Sequence, residues 1–291
     1  MRRVVAVFSD IHSNYPAFRV CYEDALGCGV DSFIFLGDYV SDLAEPCRTL
    51  DLVYEIRGSF PAVCLRGNRE RYMLEREQSE VSFVKGSSSG SLLFTYERLR
   101  PRDLAFFRGI KMYDTMEVGG VAIEAAHAAK EDDRYYFEKN DPQIPAIFSQ
   151  MDTGCLLTGH THRQYIAYGA GKVIMNPGSV GVPQGGDWRA AYGLLFVEAG
   201  QISFQLRQVP YDIAETIHGQ FTSGLVEMSC CWGIGMLHDI IYGEERTLRL
   251  LEAVRCHGDV RDEEVWRREA TRMGMRFSEE EILRLASEVC R

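Results

Sequence analysis

Five short polar signatures, each following a short apolar run, dominate the first 162 residues of the chain. Apolar runs of this length, bounded by glycine and aspartate, are typical of buried strands. In chain order, the signatures are Asp10-Ile11-His12, Gly37-Asp38, Gly67-Asn68-Arg69-Glu70, Ala126-His127 and Gly159-His160-Thr161-His162. Because an open α/β sheet gathers its ligands beyond the carboxyl ends of its strands, we expect these side chains to converge.

The first third of the chain alternates between strand and helix patterns. Strands are predicted at Val4–Phe8, Phe33–Leu36 and Val63–Leu65, with one helix after Asn14 and another from Glu45 to about Arg57. Two consecutive crossovers of this kind require parallel pairing and right-handed connections. Residues 69–110 then change character, with charged helical patterns around a Ser/Gly-rich run at 85–91. That run is typical of a flexible loop, and it is also a candidate lid because it follows Asn68.

The second half of the domain shows three hairpin signals, at Gly119-Gly120, at Gly169-Ala170-Gly171 and at Gly200. These signals predict a more antiparallel second sheet. Beyond Tyr211 the strand signals vanish, and helices are predicted at about 244–256, 262–273 and 279–290. We therefore expect an α/β fold, a four-layer α-β-β-α sandwich of two mixed sheets with a helical C-terminal appendage. The predicted divisions are a domain at 1–210, a cap insertion at 69–110 and an extension at 211–291.

Composition excludes several classes of function. A net charge of −10 opposes binding to duplex nucleic acid and to anionic membranes. No apolar stretch reaches the roughly 18 to 20 residues that span a bilayer. The nine cysteines include no Cys-x-x-Cys pair, which favours reduced thiols and a cytoplasmic location.

Each polar signature also has an ordinary explanation when it is taken alone. Asp10 and His12 suit a polar turn, Gly-Asp pairs are common in loops, and a single His127 suits a hydrogen-bonded core. The pair His160 and His162 is harder to explain as packing, since imidazoles are common metal ligands. Four of the seven histidines follow predicted strands on one rim, and this joint pattern favours a metal centre. His218, His238 and His257 are expected to be surface or packing residues.

The order of these motifs resembles the calcineurin-like metallophosphoesterase superfamily, especially its small bacterial and archaeal phosphodiesterase branch. The resemblance covers about residues 1–210. It is carried by Ser9-Asp10-Ile11-His12-Ser13-Asn14, Leu36-Gly37-Asp38, Arg66-Gly67-Asn68, Thr158-Gly159-His160-Thr161-His162 and Asn176-Pro177-Gly178-Ser179-Val180. It implies a double-sheet sandwich and a two-metal phosphohydrolase that uses a metal-activated hydroxide as its nucleophile.

The resemblance also implies how two divalent cations would be shared. One would be held by Asp10, His12, Asp38 and His162, and the other by Asp38, Asn68, His127 and His160. A carboxylate bridge at Asp38 agrees with the physics, because two neighbouring cations need an anion between them. Mixed carboxylate, amide and imidazole ligands favour manganese or iron, with zinc, nickel and cobalt as alternatives. The predicted catalytic residues are Asp38, Asn68 and Arg69.

Arg69 departs from the family pattern, in which many members carry a histidine that is thought to protonate the leaving group. Arginine stays protonated and cannot act as a general acid, but it can hold a phosphate. The alternative is a surface ion pair with Glu70 or Glu75. Without the acid, aryl phosphodiesters and phosphoanhydrides should be better substrates than alkyl monoesters.

The other substrate contacts that we predict are Asn14, Arg134 and Tyr136. The alternative role of Asn14 is to order the rim, and the alternative for the other two is a solvated loop. The Asn176–Ser179 loop is expected to support the histidines.

Small phosphodiesters or nucleotide-like phosphates are the predicted substrates, with dinucleoside polyphosphates as the alternative. A noncatalytic scaffold is the rival from another class, and a nuclease of short oligonucleotides is disfavoured. The C-terminal helices are expected either to close over the pocket or to form a homo-oligomer interface.

Overall fold

A computed structural model of the protein describes residues 2–130, 132, 134–135, 137–260 and 262–290. The strands are β1 Arg3–Phe8, β2 Ser32–Phe35, β3 Ala62–Cys64, β4 Tyr113–Val118, β5 Val121–Ala126, β6 Cys155–Leu157, β7 Gln164–Gly169, β8 Lys172–Pro177, β9 Ala190–Glu198 and β10 Gln201–Val209. The helices are α1 Tyr15–Gly27, α2 Pro46–Ser59, α3 Asn68–Glu77, α4 Gly90–Arg98, α5 Pro101–Gly109, α6 Ile144–Gln150, α7 Ile213–Thr222, α8 Leu225–Ser229, α9 Cys231–Tyr242, α10 Arg246–His257, α11 Glu263–Arg272 and α12 Glu279–Val289.

The strands form two mixed five-stranded sheets flanked by helices, which confirms the predicted fold class. The first has the order β10-β9-β1-β2-β3 and the second β4-β5-β6-β8-β7. The predicted parallel crossovers are present, with β1 beside β2 and β2 beside β3. The third hairpin, β9–β10, belongs to the first sheet instead of the second, and its strand β9 pairs antiparallel with both β1 and β10. The second sheet is less antiparallel than predicted, because β6 lies parallel to both β5 and β8.

The apolar core lies on both faces of the first sheet. Between the sheets, Val5, Val7 and Ile34 pack in one cluster with Leu157 and Met175 of the second sheet. Burial of both faces explains why these strands appear in the sequence as continuous apolar runs rather than as alternating patterns.

On the outer face of the first sheet, Phe8 and Phe35 belong to a cluster that continues into the C-terminal helices. Leu237 and Ile240 of α9 and Trp266 of α11 are part of it. Helices of the C-terminal region therefore share one apolar core with the outer face of the first sheet. The domain boundary near residue 210 stays a prediction. Among the described residues, no helix combines the length and the apolar character that crossing a bilayer requires.

Some helices were not located individually by the sequence prediction. Helix α6 was not predicted, and within the predicted helical extension α7 to α9, at residues 213–242, were not resolved as separate helices. In α9, nearly every side chain is buried. A helix buried on all sides lacks the alternation of apolar and polar faces that reveals an amphipathic helix, and for this reason α9 escapes sequence analysis.

The Ser/Gly-rich run at 85–91 lies against α8 as a series of turns. The Gly86 backbone N–H donates to the Met228 carbonyl over 2.7 Å. The Ser91 hydroxyl is buried and donates to Asp42 Oδ1 over 3.2 Å. The run is thus anchored to α8 and to Asp42, with Gly86 to Ser89 half-buried and Ser91 buried.

Candidate metal centre

The five signatures converge at the carboxyl ends of β1, β2, β3, β5 and β6. Each side chain arrives from the turn that follows its strand, as the sheet topology requires. Two groups result, each with three side chains whose ligand atoms lie within 4.8 Å of one another, and each of which is able to hold a metal ion. They are Asp10, His12 and His162, and Asp38, His127 and His160.

In the first group, three side chains face one point. His162 Nε2 lies 3.4 Å from Asp10 Oδ1 and 3.2 Å from His12 Nε2. His12 Nε2 lies 3.9 Å from Asp10 Oδ1. Ligand atoms bound to one cation at about 2.0 to 2.2 Å are necessarily close neighbours, so these separations suit a shared ion.

The second group is joined by Asn68. His127 Nε2 lies 3.1 Å from Asn68 Oδ1, 3.2 Å from His160 Nδ1 and 3.5 Å from Asp38 Oδ2. Asp38 Oδ2 also lies 3.7 Å from His12 Nε2, which belongs to the first group. One carboxylate oxygen therefore stands between the two groups, at the place where the sequence predicted a bridge.

Three of the imidazoles have a partner for Nδ1 on the side that faces away from the cluster. His12 Nδ1 lies 3.1 Å from the Asp42 carboxylate. His127 Nδ1 donates to the Leu36 carbonyl over 3.0 Å, and His162 Nδ1 donates to the Val182 carbonyl over 2.8 Å. A proton on Nδ1 leaves the Nε2 lone pair facing the cluster, which is the tautomer that a metal ligand needs.

The buried carboxylates of the cluster require positive charge close to them. Asp10 Oδ1 is buried and has no hydrogen-bond partner in the described structure. Burial would raise the pKa of Asp38, but the His127 and His12 imidazoles lower it to about 2. Burial would likewise lower the pKa of His127, but the carboxylates of Asp38 and Asp10 raise it to about 10. Protonated imidazoles here provide the positive charge that stabilises the buried carboxylates. Bound divalent cations would provide that charge instead, so the donor set fits the metal centre implied by the resemblance.

The backbone at the cluster is held in an unusual conformation. Five of the seven predicted ligands have φ in the left-handed region, at 54° for Asp10, 48° for His12, 54° for Asp38, 66° for His160 and 58° for His162. Residues other than glycine adopt this region at an energetic cost, and such residues cluster at functional sites. At Gly67, a Cβ atom would collide with the Asp38 carboxylate, so this position requires glycine.

Comparison with known proteins identifies the family. A sequence model of the calcineurin-like phosphoesterase superfamily domain matches residues 4–200. The chain belongs to the calcineurin-like phosphoesterase superfamily. This confirms the resemblance, and it makes the protein a hydrolase of phosphoester bonds.

Relatives of this phosphoesterase come from archaea and bacteria. It is 22% identical over 228 residues to an uncharacterized protein of Methanocaldococcus jannaschii, and the match covers 73% of this chain and 90% of the relative. A metallophosphoesterase from Sphaerobacter thermophilus is similar in structure, with a TM-score of 0.64 and 21% identity over 83% of this chain and 99% of the other. A hypothetical protein from Pyrococcus horikoshii has a TM-score of 0.69 and 15% identity, with the same coverage. At these identities, the two structures establish the fold.

Asp42 is a site residue of the phosphoesterase that sequence reasoning missed. It is fully buried, and its carboxylate lies 3.1 Å from His12 Nδ1 and 3.1 Å from Arg69 Nη2. Trp232 Nε1 of α9 donates to the same carboxylate over 3.1 Å. Burial opposes its ionisation, but Arg69 and His12 hold the pKa of Asp42 well below its ordinary value. The only sequence signal was an acidic residue four positions after Asp38.

Glu70 supports the bridging carboxylate through the backbone. Its side chain accepts the N–H of Asp38 over 2.9 Å, of Tyr39 over 2.8 Å and of Gly67 over 2.9 Å. Glu70 thus ties the turn after β2 to the start of α3. The Arg69 guanidinium lies beside Asp42 and 3.8 Å from Asp38, so the alternative pairing of Arg69 with Glu70 or Glu75 is wrong.

The other predicted site residues lie apart from the ligands or support them. Asn14 is fully buried, and its amide donates to the Gly181 carbonyl over 2.8 Å, so it orders the rim. Arg134 is exposed and does not line the cavity at the ligands, and Tyr136 lies outside the described residues. In the Asn176–Ser179 loop, Ser179 Oγ donates to the Asp10 carbonyl over 2.7 Å, which agrees with the supporting role predicted for it.

A cavity of about 180 Å³ opens onto the ligands. One wall carries Asp38, Asn68, His160 and His162, with Arg69 and Asp42 beside them. Another part of the lining comes from α9, α10 and the residues between them, and it includes Trp232, Met236, Asp239, Glu245, Thr247 and Leu248. The C-terminal helices thus contribute to the lining of the pocket, while the homo-oligomer interface predicted for them stays a prediction. The Ser/Gly-rich run does not line it.

Proposed function

We propose that the protein is a two-metal phosphohydrolase that cleaves small phosphodiesters. The observation that carries this proposal is the position of Asp38 Oδ2, 3.5 Å from His127 Nε2 and 3.7 Å from His12 Nε2. A single carboxylate that faces both donor groups is suited to bridge two cations. Manganese or iron agrees best with these donors, with zinc, nickel and cobalt as alternatives.

The proposed ligands divide as the family resemblance implies. Asp10, His12 and His162 would hold one ion, Asn68, His127 and His160 the other, and Asp38 both. When bound, two divalent cations acidify a coordinated water and withdraw electron density from phosphate oxygens. The protein's own contribution is to hold the donors in place, through Asp42 behind His12 and through the backbone carbonyls behind His127 and His162.

Arg69 is proposed to hold the phosphate. Its guanidinium lines the cavity beside Asp38 and is aligned by Asp42, and the carboxylates of Asp42 and Asp38 raise its pKa against the effect of burial. A guanidinium that remains protonated donates hydrogen bonds to phosphate oxygens, but it has no proton to release to a leaving group at ordinary pH. The proposed substrates are therefore esters with good leaving groups.

Metal removal tests the proposed function. Protein treated with a chelator is expected to lose hydrolysis of bis(4-nitrophenyl) phosphate, and added manganese or iron is expected to restore it, because the donors alone provide no nucleophile. The measurement is the release of 4-nitrophenolate with each metal in turn. A noncatalytic scaffold, the rival function, would show no turnover with any of the five metals.

Replacing Arg69 by alanine is expected to lower kcat/KM by about tenfold, by the same factor for 4-nitrophenyl and phenyl esters of one phosphodiester. Loss of a phosphate contact costs the two substrates equally, whereas loss of a general acid costs the poorer leaving group more. The measurement is kcat/KM for both esters. A loss that is much larger for the phenyl ester would contradict the role given to Arg69.

We further propose a reducing, cytoplasmic environment. All nine cysteines lie in the described residues and none is in a disulfide. Free thiols, one of them exposed, suit a compartment in which thiols stay reduced.

A further inference from the structure

The part of the cavity wall that comes from the C-terminal helices has a distinct chemistry. Trp232 and Met236 of α9 and Leu248 of α10 provide an apolar surface, and Leu248 is 46% exposed at the mouth of the cavity. Between them lie two acidic side chains, Asp239 and Glu245. An alcohol group attached to a phosphate at the metal centre would contact this wall.

Positive charge in the cavity is confined to the phosphate end. Among the described lining residues, Arg69 is the only lysine or arginine, and it is already paired with Asp42. A substrate with a second or third phosphate would place the extra anions beside Glu245, and no further lysine or arginine of the described lining would receive them. This arrangement disfavours dinucleoside polyphosphates, the alternative substrates that the sequence left open.

The two acids differ in what holds them. Asp239 is buried and accepts the N–H of Arg246 over 2.7 Å and of Thr247 over 2.8 Å, so it fixes the turn into α10. Burial raises the pKa of Asp239 to about 8, which leaves Glu245 as the charged acid of this wall near neutral pH. Glu245 is half-buried and begins α10 without a side-chain capping bond. No lysine or arginine in the described part of the chain forms an ion pair with it, whereas its neighbour Glu244 lies near Arg246 and Arg249.

The size of the cavity limits the alcohol. Its volume of about 180 Å³ is below the roughly 300 to 1,000 Å³ of pockets that enclose drug-sized ligands. The enclosed part of the cavity therefore matches a phosphate that carries a short alcohol of a few carbon atoms better than one that carries a nucleoside.

We infer that the substrate carries one phosphate esterified to a small alcohol with an ammonium group, and that Glu245 and Trp232 receive the ammonium. This inference rests on the proposed function, since the phosphate must lie at the metal centre. A cation beside an aromatic ring and an unpaired carboxylate is a favourable arrangement, because the ring face and the carboxylate are both negative. The site thus selects substrates by the charge of the alcohol group and by its size.

The experiment compares two isosteric chromogenic diesters with the metal-loaded protein. One is 4-nitrophenyl phosphorylcholine, and the other is 4-nitrophenyl 3,3-dimethylbutyl phosphate, in which a carbon atom replaces the ammonium nitrogen. Both release 4-nitrophenolate, so chemistry at phosphorus is matched. We expect kcat/KM to favour the choline ester by about tenfold, and Glu245→Gln to reduce this ratio to about one. Glu244→Gln, the matched control, should leave the ratio unchanged.

Three outcomes would overturn the inference. They are equal turnover of the two isosteres by the unaltered protein, a preference that survives Glu245→Gln, or faster turnover of thymidine 5′-monophosphate 4-nitrophenyl ester than of either isostere. Bis(4-nitrophenyl) phosphate serves as the reference substrate. Turnover of this reference with no preference between the isosteres would refute the ammonium site and leave the proposed phosphohydrolase standing. No turnover of any ester would refute both.

Discussion

Replacing Asp38 by alanine is expected to lower kcat/KM for bis(4-nitrophenyl) phosphate by at least about 1,000-fold. Asp38 Oδ2 faces both donor groups, and without it neither group keeps its shared anion. The cations supply several kcal/mol of transition-state stabilisation, and each 1.36 kcal/mol corresponds to a factor of ten in rate. The measurement is kcat/KM with metal in excess.

The control for this variant is Asp152→Ala, because Asp152 is an exposed aspartate paired with Lys130 on the surface. It should retain activity within about twofold. Circular dichroism would show that both variants are folded. Activity in a folded Asp38→Ala protein within tenfold of the unaltered protein would contradict the bridging role.

Replacing Asp42 by asparagine is expected to cost about 10- to 100-fold in metal affinity or activity, the usual range for groups that orient metal ligands. The Asp42 carboxylate makes polar contacts with His12, Arg69 and Trp232 at the same time. An amide of the same size keeps one acceptor oxygen and brings an N–H group towards donors. His12 and Arg69 therefore lose a common partner, and burial makes this loss costly.

A metal titration separates the two parts of this effect. If Asp42 orients His12, the variant should need a higher metal concentration for half-maximal activity, and if it orients Arg69, KM should rise with metal in excess. Combining Asp42→Asn with Arg69→Ala should cost less than the sum of the two single effects. Asp51→Asn, which changes an exposed partner of Arg100 and Arg102, is the control. Additive effects, or a variant with unchanged metal response and KM, would contradict this account of Asp42.

The convergence of the ligands was predictable because it depends on topology alone. A strand that ends in Asp10-Ile11-His12 and a parallel neighbour that ends in Gly37-Asp38 necessarily present these residues at one edge. The left-handed backbone at these residues was not predictable, since aspartate and histidine are enriched at positive φ but adopt it at only a minority of their positions. The functional turns thus appear in the sequence as motifs, but not as strained conformations.

The part of the cavity wall that the C-terminal helices provide could not be predicted from the sequence, for a different reason. Trp232 reaches Asp42 across 190 positions of sequence, from a helix whose burial hides its periodicity. Glu245 precedes a helix that was predicted, but nothing local distinguishes it from Glu244 beside it. Contacts between distant segments set the role of each residue here, and these contacts leave no pattern in the chain.

The central claim is that this phosphoesterase holds two cations that share Asp38. The most direct test is the metal content of the purified, unchelated protein and of Asp38→Ala, measured by inductively coupled plasma mass spectrometry after desalting. We expect two equivalents of metal per chain in the unaltered protein and at most one in the folded variant. One equivalent or less in the unaltered protein, or two in Asp38→Ala, would contradict the claim.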